Sequence, residues 1–503
     1  MIENNSLIDR LFYGLSGLFH RYKVPFLASV IAGFASHTFM LTNKLINHDD
    51  IESMFGKGAT VTSGRWGLEL IKPIFPDCSM PWIYGLISII LISAAVCVMV
   101  ELLEIRSKAL QALAGGLVLT FPSLTGTFCF MFTSSAYALS FLLAVLAVYE
   151  FTKGGAGRVA LSILFVVLSL SIYQAYVAIT ASLFVLIMLR RCMEAEENVG
   201  RILLFGVKAV LMMAAAAAVY YGITLLVFAV TGAEFNSYVT DNTNSVGLLR
   251  RIRMAYDAFL YVFTFRNFYL VPTDFSRYIH ILLSGLIVLL LAFGLLRTKK
   301  PGHIVLGAFL ALLLPLSMNS IYLIMGGESI HTLVLYSFVC LYFLAAMLAE
   351  KTISTPGVFI GKGVEVILCV ILVINVYFSN MCYLKMKLEY DNAYSFYSVL
   401  ISRICSTEGF DENCDIAFTG RQDNLLQVYD ELDTYLLMGP SRELVNIYSR
   451  ENFIKLFMGF NFEFASEDEI SQLENSAEYQ AMAEYPFDGS VKKIGDHIVI
   501  KLG

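Results

Sequence analysis

Asn47-His48-Asp49-Asp50 sets two adjacent carboxylates just past the first apolar stretch of the chain. Ionised acids are costly in or near hydrocarbon, so a pair at the mouth of a multi-span protein marks a functional site by default. Neighbouring acids push each other's proton affinities apart, which suits one of them to general-base work on a hydroxyl proton. Asp49 is the better candidate for the base, with Asp50 orienting an acceptor or a nearby cation. A structural alternative stands beside this one: Asn47, Asp49 or Asp50 could cap a short interfacial helix over 51–55.

Cations near the acids could stabilise negative charge that grows on a leaving group. Arg65, in the Gly64-Arg65-Trp66-Gly67 run of the same loop, is the first candidate. Arg250, Arg251 and Arg253 come next, at the head of an amphipathic stretch over 248–265 with Ile252, Ala255, Tyr256, Phe259 and Val262 at helical spacing. Forked guanidinium donors fit phosphate oxygens. His331 could meet an anion, and Glu328, across the Gly326-Gly327 turn, could ion-pair with an arginine. Trp66 could form an apolar platform, Tyr173 could stack on an apolar face of a ligand and Gln174 could bond hydroxyls. Ordinary roles compete at each position: headgroup contacts for the arginines, interfacial anchoring for the aromatics, interhelical bonding for the glutamine.

No Cys or His pair shows metal-ligand spacing, and His20, His37, His280 and His303 read as structural or interfacial. Asp49 and Asp50 could hold Mg²⁺ or Mn²⁺, but the single charge of a phosphodiester can be met by arginines. No required cofactor is expected.

The elements that position these residues are membrane helices. The chain has 503 residues, 57% hydrophobic and only 15% charged, with mean hydropathy +0.69; soluble domains carry about a quarter charged residues. A net charge of −6 gives no reason to invoke nucleic acid. Apolar runs long enough to cross a bilayer fall near 24–41, 81–101, 109–122, 130–151, 159–172, 176–189, 202–230, 278–296, 304–324, 331–348 and 364–383. That predicts roughly 11 spans, with 109–189 the hardest to divide. Residues 1–23 read as an amphipathic segment on the membrane surface.

Arg106, Lys108, Lys153, Arg158, Arg190, Arg191, Arg201, Arg297, Lys299, Lys300, Lys351 and Lys362 all fall in one set of short loops, and the alternate short loops around 123–129 and 326–329 have none. The bias predicts a cytoplasmic N-terminus. It places the loops 42–80 and 231–277, and a C-terminal region 384–503, outside the cytoplasm. That region reads as a small α/β domain: helical over 392–405 and 443–460, a strand at 415–419, and a hairpin over 490–502 around Gly495-Asp496. Cys405 and Cys414 in it could pair or stay free.

Four stretches together resemble the bacterial glucosyl transferase type II family, polytopic GT-C class membrane enzymes. They are His48-Asp49-Asp50 with Gly64-Arg65-Trp66-Gly67; Phe121-Pro122 through Phe128-Cys129-Phe130-Met131-Phe132-Thr133-Ser134-Ser135; Ser169-Leu170-Ser171-Ile172-Tyr173-Gln174; and Tyr485-Pro486 with Asp488-Gly489-Ser490 and Ile494-Gly495-Asp496. The resemblance implies a mainly α fold, with a transmembrane domain over 24–383 carrying the site, in which Arg65, Arg250, Arg251, Arg253 and His331 would meet a donor phosphate and Trp66, Tyr173, Gln174 and Glu328 would meet sugar or acceptor. It implies a bacterial plasma-membrane enzyme moving a sugar, glucose by family expectation, from a polyprenyl-phosphate carrier to a surface polysaccharide such as O-antigen or teichoic acid. The displacement would invert the anomeric centre. Membrane lipids, a donor synthase and a flippase are the implied partners. The rival expectation is a lipid-linked sugar flippase or polysaccharide transporter, which should show inverted repeats and mid-membrane polar residues; the sequence shows neither.

Overall fold

Long apolar runs become helices because hydrocarbon leaves backbone groups no partner outside the segment. The computed structural model describes residues 7–237, 240, 246–264, 273–324, 332–353, 357–411, 413–420 and 448–503. Among these, ten helices are long and apolar enough to cross a bilayer. An eleventh, Ala156–Ile172, is apolar but shorter at 17 residues. The protein is therefore a mainly α polytopic membrane protein with a small C-terminal sheet.

The helices that frame the site are α1 (Leu7–Thr42), α2 (His48–Glu52), α3 (Gly67–Leu70), α4 (Pro81–Leu102), α5 (Lys108–Thr120), α6 (Pro122–Cys129), α7 (Met131–Lys153), α8 (Ala156–Ile172), α9 (Val177–Glu194) and α10 (Val199–Thr231). Non-helical dihedrals at Tyr22 break α1, three residues before Pro25, and separate its first turns from the apolar part. The span expected to stop at Pro122 continues: Phe121 turns extended, Pro122 takes the first position of α6, and the apolar helix pair runs on to Cys129. α1 packs closely on α5, where a Cβ on Gly115 would sit 2.5 Å from Ser29 Oγ and 3.0 Å from the Pro25 carbonyl. Small residues permit such approaches between membrane helices. His37 ties α1 to its neighbours, with Nδ1 2.8 Å from the Tyr383 hydroxyl and Nε2 2.7 Å from the Leu119 carbonyl.

The last membrane helix, Val358–Ser406, spans 49 residues and runs unbroken past residue 384. At 1.5 Å per residue it exceeds any bilayer, so its C-terminal half belongs to the terminal region. Strand β1 (Asp415–Thr419) pairs in parallel with β3 (His497–Lys501), and β2 (Val491–Ile494) pairs antiparallel with β3, in the order β1-β3-β2. Gly495, at φ +61°, supplies the left-handed position of the β2–β3 turn. Ile416, Phe418, Ile498 and Ile500 bury against Tyr397 and Ile404 of the long helix. Ile46 and Ile51 join that same core. The acid loop is thus docked on the terminal region, and both lie at one end of the bundle. Cys405 and Cys414 are free thiols.

Candidate active site

Asn47 starts α2 by accepting the Asp50 N–H on its side-chain oxygen at 2.8 Å. Capping therefore falls to Asn47, and both aspartates stand in the first turn with their carboxylates directed elsewhere. Their surroundings are opposite. Asp49 keeps 40% of its side chain exposed, with His48 Nε2 3.5 Å away and the Tyr448 hydroxyl against its carboxylate. Burial, together with the Asp49 and Glu52 charges, pushes the Tyr448 phenol above its usual range, so the hydroxyl stays protonated and able to donate. Glu52, one turn on, accepts from Asn452 at 2.8 Å.

Asp50 is fully buried. Its carboxylate takes the Lys44 ammonium on one oxygen and the Ser79 hydroxyl, at 2.5 Å, on the other. Lys44 also donates to Ser79 Oγ at 2.6 Å, closing a three-membered cluster, and the Phe132 amide at the head of α7 adds a further donor. Burial raises the proton affinity of Asp50 while Lys44, Ser79 and that amide oppose it. The cluster does not stop at the protein interior. Lys44 and Ser79 line a groove of about 760 Å³ whose other walls are largely apolar, among them Leu41, Phe55, Trp82, Ile83 and Phe457. Trp82 and Phe55 on its rim are 52% and 70% exposed.

A second buried cation, Lys57, reaches the carbonyls of Phe132 at 3.3 Å and Pro76 at 3.4 Å, with Asp77 3.9 Å off. Burial pulls its ammonium below the usual lysine range, against the pull of Asp77. Lys44, Ser79 and Lys57 carry no motif, and nothing in the sequence distinguishes them from loop residues near an interface.

Arg65, Trp66, Tyr173 and Gln174 come together in one network. Arg65 donates to the Tyr137 hydroxyl at 2.8 Å, and Tyr137 stacks on Tyr173 with ring centroids 4.0 Å apart. Gln174 donates to the Ser63 carbonyl at 2.9 Å and the Tyr220 hydroxyl at 3.0 Å, while Tyr220 donates to the Gly64 carbonyl at 2.9 Å. Gly64 needs its φ of +69°, and a Cβ there would lie 2.6 Å from the Tyr220 oxygen. Trp66 is 7% exposed, stacked on Tyr220, with its indole N–H donated to Thr224 at 3.1 Å. This places the Trp66 ring in the core, where it anchors the loop on α10.

The remaining candidates lie apart. Arg250, Arg251 and Arg253 begin the helix Leu248–Thr264, as the spacing predicts. Arg251 is turned inward to the Val246 carbonyl at 2.8 Å and the Leu323 carbonyl at 3.0 Å, Arg253 faces Asp257 at 3.4 Å, and Arg250 is exposed. Glu328 and His331 lie outside the described residues. Among the described residues, no three His, Cys, Asp or Glu side chains group as a metal site.

Compared with known proteins, the chain matches the family model described as Glucosyl transferase GtrII over residues 38–342, more than half its length. The match contains Lys44, the acid pair, Ser79 and the Arg65 network; the stretch over 485–496 lies beyond it. No curated protein and no solved structure matches the chain.

Proposed function

Because the chain belongs to the glucosyl transferase GtrII family, we propose that it moves glucose from a polyprenyl-phosphate carrier to a surface polysaccharide on the outer face of a bacterial plasma membrane. The observation that carries this reading is the apolar groove ending on Lys44 and Ser79, both bonded to the aspartate next to Asp49. An apolar slot with a cation at its head suits a lipid chain bearing a phosphate. Nucleotide sugars are cytoplasmic, so an outward site needs a donor delivered on lipid, and the Lys and Arg bias supports the outward orientation.

In this mechanism the prenyl chain lies in the groove and its phosphate meets Lys44. Asp49, the exposed acid, takes the proton of the acceptor hydroxyl as that oxygen bonds to the anomeric carbon. The bond from that carbon to the phosphate oxygen breaks, and its electron pair leaves with polyprenyl phosphate. Attack and departure on opposite faces invert the centre. Lys44 counters the charge growing on the leaving group, and Asp50 is a positioning residue that fixes the ammonium. Arg65, held by Tyr137, is a second cation for the phosphate. The terminal region, packed on α2, forms the acceptor side, and no metal ion is needed.

Transfer of labelled glucose by the purified chain in detergent tests this. Synthetic polyprenyl-phosphate-glucose should support transfer to polysaccharide and UDP-glucose should not. Transfer from UDP-glucose alone would overturn the donor assignment. Movement of the lipid across vesicles with no glycosidic product would favour a flippase.

A further inference from the structure

A second cavity, of about 500 Å³, opens at the end of the bundle opposite the acid loop, between the break in α1, the start of α5 and the C-terminal ends of α4, α7 and α9. Its wall is cationic: Arg21, Arg106, Lys153, Arg190 and Arg191 face two carboxylates, Glu101 and Glu104. Those carboxylates are shared. Glu101 lies 3.2 Å from Arg21 and 3.8 Å from Lys153, and Glu104 pairs with both Arg190 and, at 3.8 Å, Arg106. Glu194 and Glu197 stand behind the wall, 3.9 Å from Arg190 and 3.7 Å from Arg191, but Glu194 is also engaged by Lys351 at 2.9 Å. Six cations thus meet four carboxylates, and positive charge is left over.

Two ordinary effects put cations at this end. Lys and Arg collect on the cytoplasmic side of membrane proteins, and cations offset the negative ends of helices such as α4, α7 and α9. Both are served by side chains reaching into solvent, as Arg106 does at 82% exposure. Neither accounts for Arg190. Its side chain is only 11% exposed, and its Nε is buried with no hydrogen-bond partner among the described residues. A largely buried guanidinium lining a concave, net-positive wall favours an anion with several acceptor oxygens.

We propose that this cavity is a binding site for a phosphate-bearing anion, with Arg190 as its buried donor and Arg21, Arg106 and Lys153 as its rim. Its volume is in the range of small-ligand sites, and basic pockets between membrane helices on this side take the headgroups of anionic lipids. A phospholipid headgroup and a soluble phosphate offer the same oxygens. The site is independent of the glycosyl-transfer reading, being at the other end of the helices.

The test uses the full chain in phosphatidylcholine nanodiscs, alone, with phosphatidylglycerol, or with inorganic phosphate against chloride at equal ionic strength. Retained lipid is read by native mass spectrometry and stability by melting. Wild type should retain phosphatidylglycerol over phosphatidylcholine, or be stabilised by phosphate over chloride; the first result identifies a lipid source and the second a soluble one. Arg106→Gln with Lys153→Gln, both exposed enough to spare the fold, should weaken that binding by about thirtyfold. Glu104→Gln should strengthen it, because Arg190 loses its internal counter-ion; a purely structural ion-pair network would show no gain. Equal retention of the two lipids with no response to phosphate would overturn the proposal. So would unchanged binding in both variants.

Discussion

Substituting the two aspartates one at a time should separate chemistry from positioning. Asp49→Asn removes a carboxylate that is 40% exposed and supports no buried charge. Its stability should stay within about 0.5 kcal/mol of wild type, as for most surface changes, while turnover falls roughly 10²- to 10⁴-fold with loss of the base. Asp50→Asn is different, because Lys44 keeps only a quarter of its side chain in solvent and would lose its counter-ion. Breaking a buried pair from one side costs about 3–5 kcal/mol, so this variant should melt several degrees lower and also turn over slowly. The decisive variant is Asp50→Leu with Lys44→Met, which removes both charges at similar volume. It should regain most of the lost melting temperature, since an apolar replacement of a whole pair is close to neutral. It should not regain turnover, because the phosphate has lost one of its two cations. Melting in detergent and labelled-glucose transfer on the same preparations read both axes. Wild-type melting for Asp50→Asn, normal turnover for Asp49→Asn, or recovered turnover in the double variant would each refute the division of labour.

Gly67→Ala should disturb the Arg65 loop from within, since a Cβ there would lie 2.2 Å from Ser171 Oγ and 2.9 Å from Ser171 backbone atoms. A loss of about 1–3 kcal/mol is expected from such overpacking, read as a lower melting temperature with reduced transfer. Thr224→Val leaves the buried Trp66 indole N–H without its acceptor, costing about 1–3 kcal/mol, whereas Thr224→Ser should melt like wild type. Lys57→Met tests a pH dependence. Burial lowers the folded-state pKa of Lys57 below its unfolded value of 10.5, so the unfolded chain binds more protons between the two and stability rises with pH there. Melting of wild type relative to Lys57→Met should therefore improve as pH is raised toward 10; a flat difference would contradict the burial argument.

The spans were legible because hydrocarbon imposes length and composition on every helix that crosses it. The short terminal strands were legible too: Asp415–Thr419 and the hairpin around Gly495 carry alternation and a turn signal that act over a few residues. Pro122 misled the reading of 109–122, because proline more often ends a helix than restarts one after an extended Phe121. The last apolar run ends near 383, but the helix itself continues to Ser406, because polar residues keep it going after the apolar ones stop. In the candidate site, the acid pair stands out because carboxylates are costly near a membrane. Lys44 and Ser79 do not, since their meaning lies in contacts made over 6 and 35 residues in a loop without periodicity. Trp66 was visible as an aromatic beside the acids, but its burial against Thr224, 158 residues away, could not be read locally.

One element gives the two clusters a common reference. The Phe132 amide, in the first turn of α7, points at Asp50, and the Phe132 carbonyl accepts from Lys57. One and a half turns on, Tyr137 accepts from Arg65 and stacks on Tyr173. Both cations assigned to phosphate are therefore indexed to the same end of one buried 23-residue helix. Donors at a helix N-terminus favour negative charge, which offsets part of the burial cost of Asp50 and so helps keep Lys44 paired. The Phe128–Ser135 run acquires a physical role from this: it seats the start of α7 between the two clusters. A rigid bracket of this kind is what the proposed in-line displacement would require, because small misplacements of leaving-group cations relative to the base forfeit much of the gain from orientation.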